Sequence, residues 1–342
     1  MLQFGRELIP SRMMFVLMIV FLVSCQKISS RPADPDKLPH DSIPVVEGHD
    51  IYPISRYTVS PKSTDPGITT ALKDHLIYYN TNPVQKKLLY LFLPGTYRDP
   101  AECQATNLKA VSLGYHSIGL MYDNLVAVNP LCSATGDITC HSRARREVID
   151  GTDRHPEVHV NYTNSIVNRL YKLLIYLKAH YPDQHWEEFL DGTQPAWSKI
   201  IIAGHSQGGS LAGVIGKYYP VKKVILLSAI DFLKNGKMPD WQADQTKKGI
   251  YYEFINAADE LVPYADVLKG WMALGMSDFG IPGNTASTLF PYNYTHTLIT
   301  TDNPNTDGID KYHNSTAVDA YIPKDSAGKY RYDQVWEYLI TI

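Results

Sequence analysis

The chain has 342 residues and is 44% apolar, enough to bury a substantial core and to exclude a disordered or fibrous protein. Lys and Arg together number 32 against 35 Asp and Glu, a formal net charge of −3. With no excess of cations to neutralise a phosphate backbone, nucleic acid is excluded as the natural partner.

In chain order, the first feature is an unbroken apolar run from Met13 to Val23, preceded by Arg6 and Arg12. The run is too short to span a bilayer as a helix and has the charge pattern of an export signal over residues 1–24. Its end, Leu22-Val23-Ser24-Cys25, resembles the lipobox of bacterial lipoproteins. That resemblance implies cleavage before Cys25, acylation of its sulfur and attachment to the cell envelope on the periplasmic or surface side. The alternatives are a secreted protein cleaved nearby or a short buried helix. Once Cys25 is set aside, Cys103, Cys132 and Cys140 remain, an odd number in a chain folding in an oxidising compartment. One bridge and one free thiol is the simplest outcome. Cys132 and Cys140 flank a short loop containing Gly136 and are the favoured pair, with a partner for Cys103 left open.

Residues 25–66 are rich in Pro, Ser and Asp without a sustained apolar period, which predicts an extended tether. From residue 67 onward the pattern predicts one α/β domain, a mostly parallel twisted sheet with helices on both faces. Strands are expected at Leu76–Tyr79, Lys87–Leu93, Ser117–Tyr122, Lys199–Ala203, Lys223–Leu227, Tyr251–Asn256 and Thr295–Thr300. Several are near-continuous apolar runs, as a strand buried on both faces requires. Helices are expected at Ala101–Leu113, Ser165–His180, Gly209–Tyr219 and Tyr264–Leu274. In the second of these, Ile166, Leu170, Leu173, Leu174 and Leu177 recur at helical spacing. The polar segment 124–158, which carries Cys132 and Cys140, is expected to be an insertion over one end of the sheet.

The most informative stretch is KIIIAGHSQGGSLAGVIGKYY, which predicts a buried strand, a sharp turn and a helix. Within it Gly204-His205-Ser206-Gln207-Gly208 matches the Gly-x-Ser-x-Gly nucleophile elbow, in which glycines flank a strained serine because side chains would clash there. On this motif, in this strand-turn-helix setting, the sequence resembles the α/β-hydrolase superfamily from about Thr69 to the C-terminus. A Gly-rich turn in another doubly wound fold is the alternative. The resemblance implies Ser206 as nucleophile and an oxyanion hole built from the Gln207 amide and an amide of the loop after an earlier strand. In LYLFLPGTYRD, Gly95 takes the place of the family's motif glycine and Thr96 becomes the second donor; Pro94 stands where many members carry histidine.

A serine hydroxyl needs a base, and the base needs a carboxylate to hold one tautomer. The family's order is Ser, then acid, then His. Asp259 in NAADELVPYAD resembles the acid loop in which two residues separate an aspartate from a Val-Pro pair; Glu260 and Asp231 are the alternatives. Beyond the acid only His296 and His313 remain. His296 falls in a strand pattern, whereas His313 follows the last predicted strand and is the expected base. His205, inside the elbow, is expected to pack or hydrogen-bond. His155 and His159 are four apart, but Pro156 and the absence of a third ligand argue against a helical zinc motif, so no metal is expected. The Asn161, Asn293 and Asn314 glycosylation-type sequences read as surface turns.

These expectations add up to a cofactor-free Ser-His-Asp hydrolase acting on a small-molecule or lipid ester. A peptidase of the same fold and a surface lipoprotein that only binds are the rival readings, since a triad sets reaction type and not specificity.

Overall fold

The computed structural model describes residues 40–44, 53–81, 84–243 and 245–342. The export signal at 1–24, Cys25 and the first part of the tether lie outside the described residues. In chain order the elements are β1 (His40–Pro44), β2 (Pro53–Val59), α1 (Pro61–Thr64), β3 (His75–Asn80), β4 (Leu89–Leu93), α2 (Ala105–Ser112) and β5 (His116–Gly119). There follow α3 (Val128–Ser133), α4 (Cys140–Asp150), α5 (Ile166–His180) and a two-residue hairpin of β6 (Leu190–Asp191) with β7 (Gln194–Pro195). The chain then forms β8 (Ile200–His205), α6 (Gln207–Tyr218), β9 (Lys223–Leu227), β10 (Tyr251–Asn256) and α7 (Tyr264–Ala273). The last elements are β11 (Gly283–Asn284), β12 (Thr297–Thr300), α8 (Lys311–Asn314) and α9 (Asp333–Thr341).

Among the described residues ten strands form one sheet in the order β1-β2-β3-β5-β4-β8-β9-β10-β12-β11. From β5 through β11 every pairing is parallel, while β1, β2 and β3 pair antiparallel at one side. Strand alternation explains the two layers. Leu89, Leu91 and Leu93 of β4 enter one core with Leu170 and Leu174 of α5 and Ile215 of α6. Tyr90 and Phe92 point into the other, with Ala110 of α2 and Trp336 and Leu339 of α9. The sheet therefore carries helices on both faces, and its central strands are largely apolar because neither face meets water.

The tether boundary needs correction. Residues 53–66, read as tether, form β2 and α1, and Ile54, Tyr57 and Val59 are buried. Pro53 hid this strand, since proline interrupts a ladder yet is tolerated at the first strand position. The segment 124–158 is also more than a cover. Ala144, Val148 and Ile149 of α4 belong to the main core, at a helical spacing masked in the sequence by the surrounding Arg and Glu.

Candidate active site

The elbow is set by backbone geometry at the end of β8. Gly204 and His205 complete the strand, and Ser206 then adopts φ 53° and ψ −121° before α6 begins at Gln207. A non-glycine residue at positive φ is strained and persists only where its surroundings fix it. They do so here: the Ser206 amide donates to the Leu227 carbonyl at 2.9 Å, and its carbonyl accepts from the Ser210 amide at 3.0 Å. Close approach explains Gly208, where a Cβ would stand 2.1 Å from the Leu93 carbonyl oxygen. The helix can thus press directly on the loop after β4.

That loop is braced from outside. Tyr122 donates its hydroxyl to the Pro94 carbonyl at 2.7 Å, and Asn124 donates its amide to the carbonyls of Gly95 and Arg98, each at 2.7 Å. A Cβ at Gly95 would lie 3.3 Å from that of Ser206. Thr96 and Gln207 therefore flank the serine, and neither main-chain N–H donates a hydrogen bond among the described residues. The Gln207 side chain is engaged elsewhere, its Oε1 accepting from the Val128 amide at 3.0 Å.

Asp259 follows β10 and His313 lies in α8, after β12. The parallel arrangement brings both to the carboxyl ends of the strands, as it does Ser206 and Thr96, where open α/β sheets form their crevices. His313 Nδ1 lies 2.9 Å and 3.0 Å from the two Asp259 oxygens. Both side chains are buried, 4% and 3% exposed. Burial pushes the Asp259 carboxyl up, but the His313 hydrogen bond and charge and the Val262 and Leu261 amides outweigh it and hold the group below its ordinary value. When the ring is neutral and Nδ1 donates to the carboxylate, the lone pair stands on Nε2, an atom that is buried without a partner. Ser206 and His313 line one cleft of about 720 Å³, together with Thr96 and Gln207. No hydrogen bond joins Ser206 Oγ to His313 Nε2 among the described residues.

The other candidates are occupied. Asp231 is buried, and Arg145 grips it through Nε at 2.8 Å and Nη2 at 2.5 Å; Trp241 Nε1 adds a third donor at 2.8 Å. Glu260 accepts from the main-chain amides of Tyr312 and His313 and does not contact the imidazole. His296 packs between the rings of Tyr252 and Phe279, each 3.8 Å away, with Nδ1 on the Tyr251 carbonyl. His205 donates Nε2–H to the His313 carbonyl at 3.0 Å, and burial followed by the nearby His313 pulls its pKa down to about 3, so it stays neutral.

Arg145, Asn129 and Ser133 also line the cleft. They come from the 124–158 segment and carry no motif by which the sequence could have flagged them. The Cys132–Cys140 disulfide ties α3 to α4 across this wall, and Cys103 is a buried free thiol. His155 Nε2 lies 3.5 Å from Cys140 Sγ, making a cluster of three metal-capable groups. Its Nδ1 accepts the Glu157 amide at 3.2 Å, which puts the ring proton on Nε2. Neither that nitrogen nor a disulfide sulfur then offers a metal a ready lone pair or thiolate.

One buried carboxyl beneath the acid loop couples stability to pH. Glu253 of β10 accepts the Ala229 amide at 2.9 Å and the Trp271 indole N–H at 2.6 Å. Burial raises its pKa from 4.5 to about 8 against the pull of those two bonds. Between these values the folded chain holds a proton that the unfolded chain has released, so stability falls as pH rises through this window. The melting temperature of the parent relative to that of Glu253→Gln should therefore decline from pH 5 to 8; a difference that stays constant over this range would contradict it. Against known proteins, no family matches the chain, and a search of curated proteins likewise finds no match.

Proposed function

We propose that this protein is a serine hydrolase of the α/β-hydrolase kind that cleaves carboxylic esters through an acyl-enzyme. The observation that carries the reading is the Asp259–His313 pair at 2.9 Å, which leaves Nε2 without a partner on a residue that lines the same cleft as Ser206. In this reading Ser206 Oγ attacks the ester carbonyl while His313 Nε2 takes its proton, and Asp259 stabilises the imidazolium. The amides of Gln207 and Thr96 receive the developing oxyanion. His313 then protonates the departing alkoxide, and water repeats the sequence in reverse roles to release the acid and restore the serine. No cofactor enters the scheme.

The apolar N-terminal run ending in Cys25 adds the proposal of an exported protein held to the bacterial envelope by lipid, presenting this cleft to ester substrates, small or lipidic. A fluorophosphonate probe tests the chemistry: label should appear on the Ser206 peptide by mass spectrometry and should not form when the protein is denatured before the probe is added. An unlabelled folded protein would favour a binding role and end the hydrolase reading. Parallel panels of esters and peptides separate esterase from peptidase.

A further inference from the structure

Asp259 and Glu260 are neighbours, yet they hold different parts of one residue. Asp259 holds the His313 ring, while Glu260 Oε2 accepts the His313 amide at 2.9 Å and Oε1 the Tyr312 amide at 3.1 Å, across 53 and 52 residues of chain. Both amides belong to the first turn of α8, whose N–H groups have no acceptor within the helix. The residue at the N-cap, Asp310, sits at φ 55° and makes no side-chain cap. The cap comes instead from the loop after β10. On the opposite side the His313 carbonyl is tied to His205 in the elbow. Ring, amide and carbonyl of His313 are thus each fixed by a different side chain.

The geometry points to Glu260 as a positioning residue: its carboxylate clamps the backbone of His313 so that the ring held by Asp259 presents Nε2 to the Ser206 side of the cleft. This rests on the hydrolase reading. The physical need is that misplacement of a reacting group by about 1 Å can cost on the order of a hundredfold in rate. A clamp through two main-chain bonds sets the position of the whole residue, which the ring contact alone cannot do.

Glu260 is exposed, so its removal should leave the fold standing. Glu260→Ala should lower kcat for an ester about 10- to 100-fold, with KM within twofold and a melting temperature close to the parent. Glu260→Gln keeps one acceptor oxygen and should recover part of kcat, a rescue that bulk stability would not produce. Hydrogen exchange reads the clamp without reference to activity: the Tyr312 and His313 amides should exchange at least tenfold faster in Glu260→Ala. Unchanged exchange, or a kcat within twofold of the parent, overturns the clamp. An unmodified protein that neither binds the fluorophosphonate nor turns over esters instead overturns the hydrolase reading, and the exchange result still decides whether Glu260 holds the loop.

Discussion

Ser206→Ala should reduce kcat for a simple aryl ester by roughly 10⁴- to 10⁶-fold while leaving the fold intact. At about 1.4 kcal/mol per tenfold, that is a barrier increase of about 6 to 8 kcal/mol, the largest effect any single substitution in this chain is expected to have on turnover. The structural cost should be small for two reasons. Alanine has the same Cβ that serine already carries at φ 53°, so the turn gains no new clash. The Ser206 hydroxyl makes no hydrogen bond among the described residues, so none is lost. The measurement is steady-state hydrolysis beside a thermal melt of the same preparation. Turnover within tenfold of the parent, with an unchanged melt, would remove Ser206 from the chemistry.

Two buried aspartates at neighbouring strand ends should respond in opposite ways to the same substitution. In Asp259→Asn the amide oxygen still accepts from Leu261 and Val262, which donate to Oδ1 at 2.9 Å each. Its NH₂, however, faces His313 Nδ1 and selects the tautomer protonated on Nε2, which cannot take a proton from serine. A loss of about 10³- to 10⁴-fold in kcat with a modest change in melting temperature is expected. In Asp231→Asn the Arg145 guanidinium, with its side chain 1% exposed, loses its counter-charge in the core. Breaking a buried pair in this way costs about 3 to 5 kcal/mol, so the melting temperature should fall by on the order of 10 °C. Residual activity per folded molecule should remain near that of the parent. If Asp231→Asn proved catalytically dead yet stable, and Asp259→Asn active, the acid would have been assigned to the wrong strand.

The comparison of these aspartates shows where sequence reasoning stops. Asp231 and Asp259 each follow an apolar strand and precede His313 in the chain, so chain order admits both. What separates them is a partner supplied from far away: Arg145, 86 residues before Asp231, and His313, 54 residues after Asp259. The same holds for Glu260, whose adjacency to Asp259 carries no hint that it reaches the amides of α8. Strand β2 was missed for a different reason. Its few apolar residues, Ile54, Tyr57 and Val59, lie between prolines, and only the neighbouring β3 ladder gives the segment a sheet to join.

By itself, the sequence determined the α/β class, the positions of the central strands and of helices α2, α5, α6 and α7, and the turn at Ser206. These are local matters: residues a few positions apart decide burial period, helix period and whether a Cβ can be tolerated. Only the tertiary structure decided which carboxylate meets which histidine, that the loop after β4 presses on the elbow, and that the 124–158 segment builds one wall of the cleft. Side-chain pairing depends on distances between strand ends that no spacing along the chain encodes. Those distances are set by strand order, and β5 pairing ahead of β4 is a property of the whole sheet rather than of any segment within it.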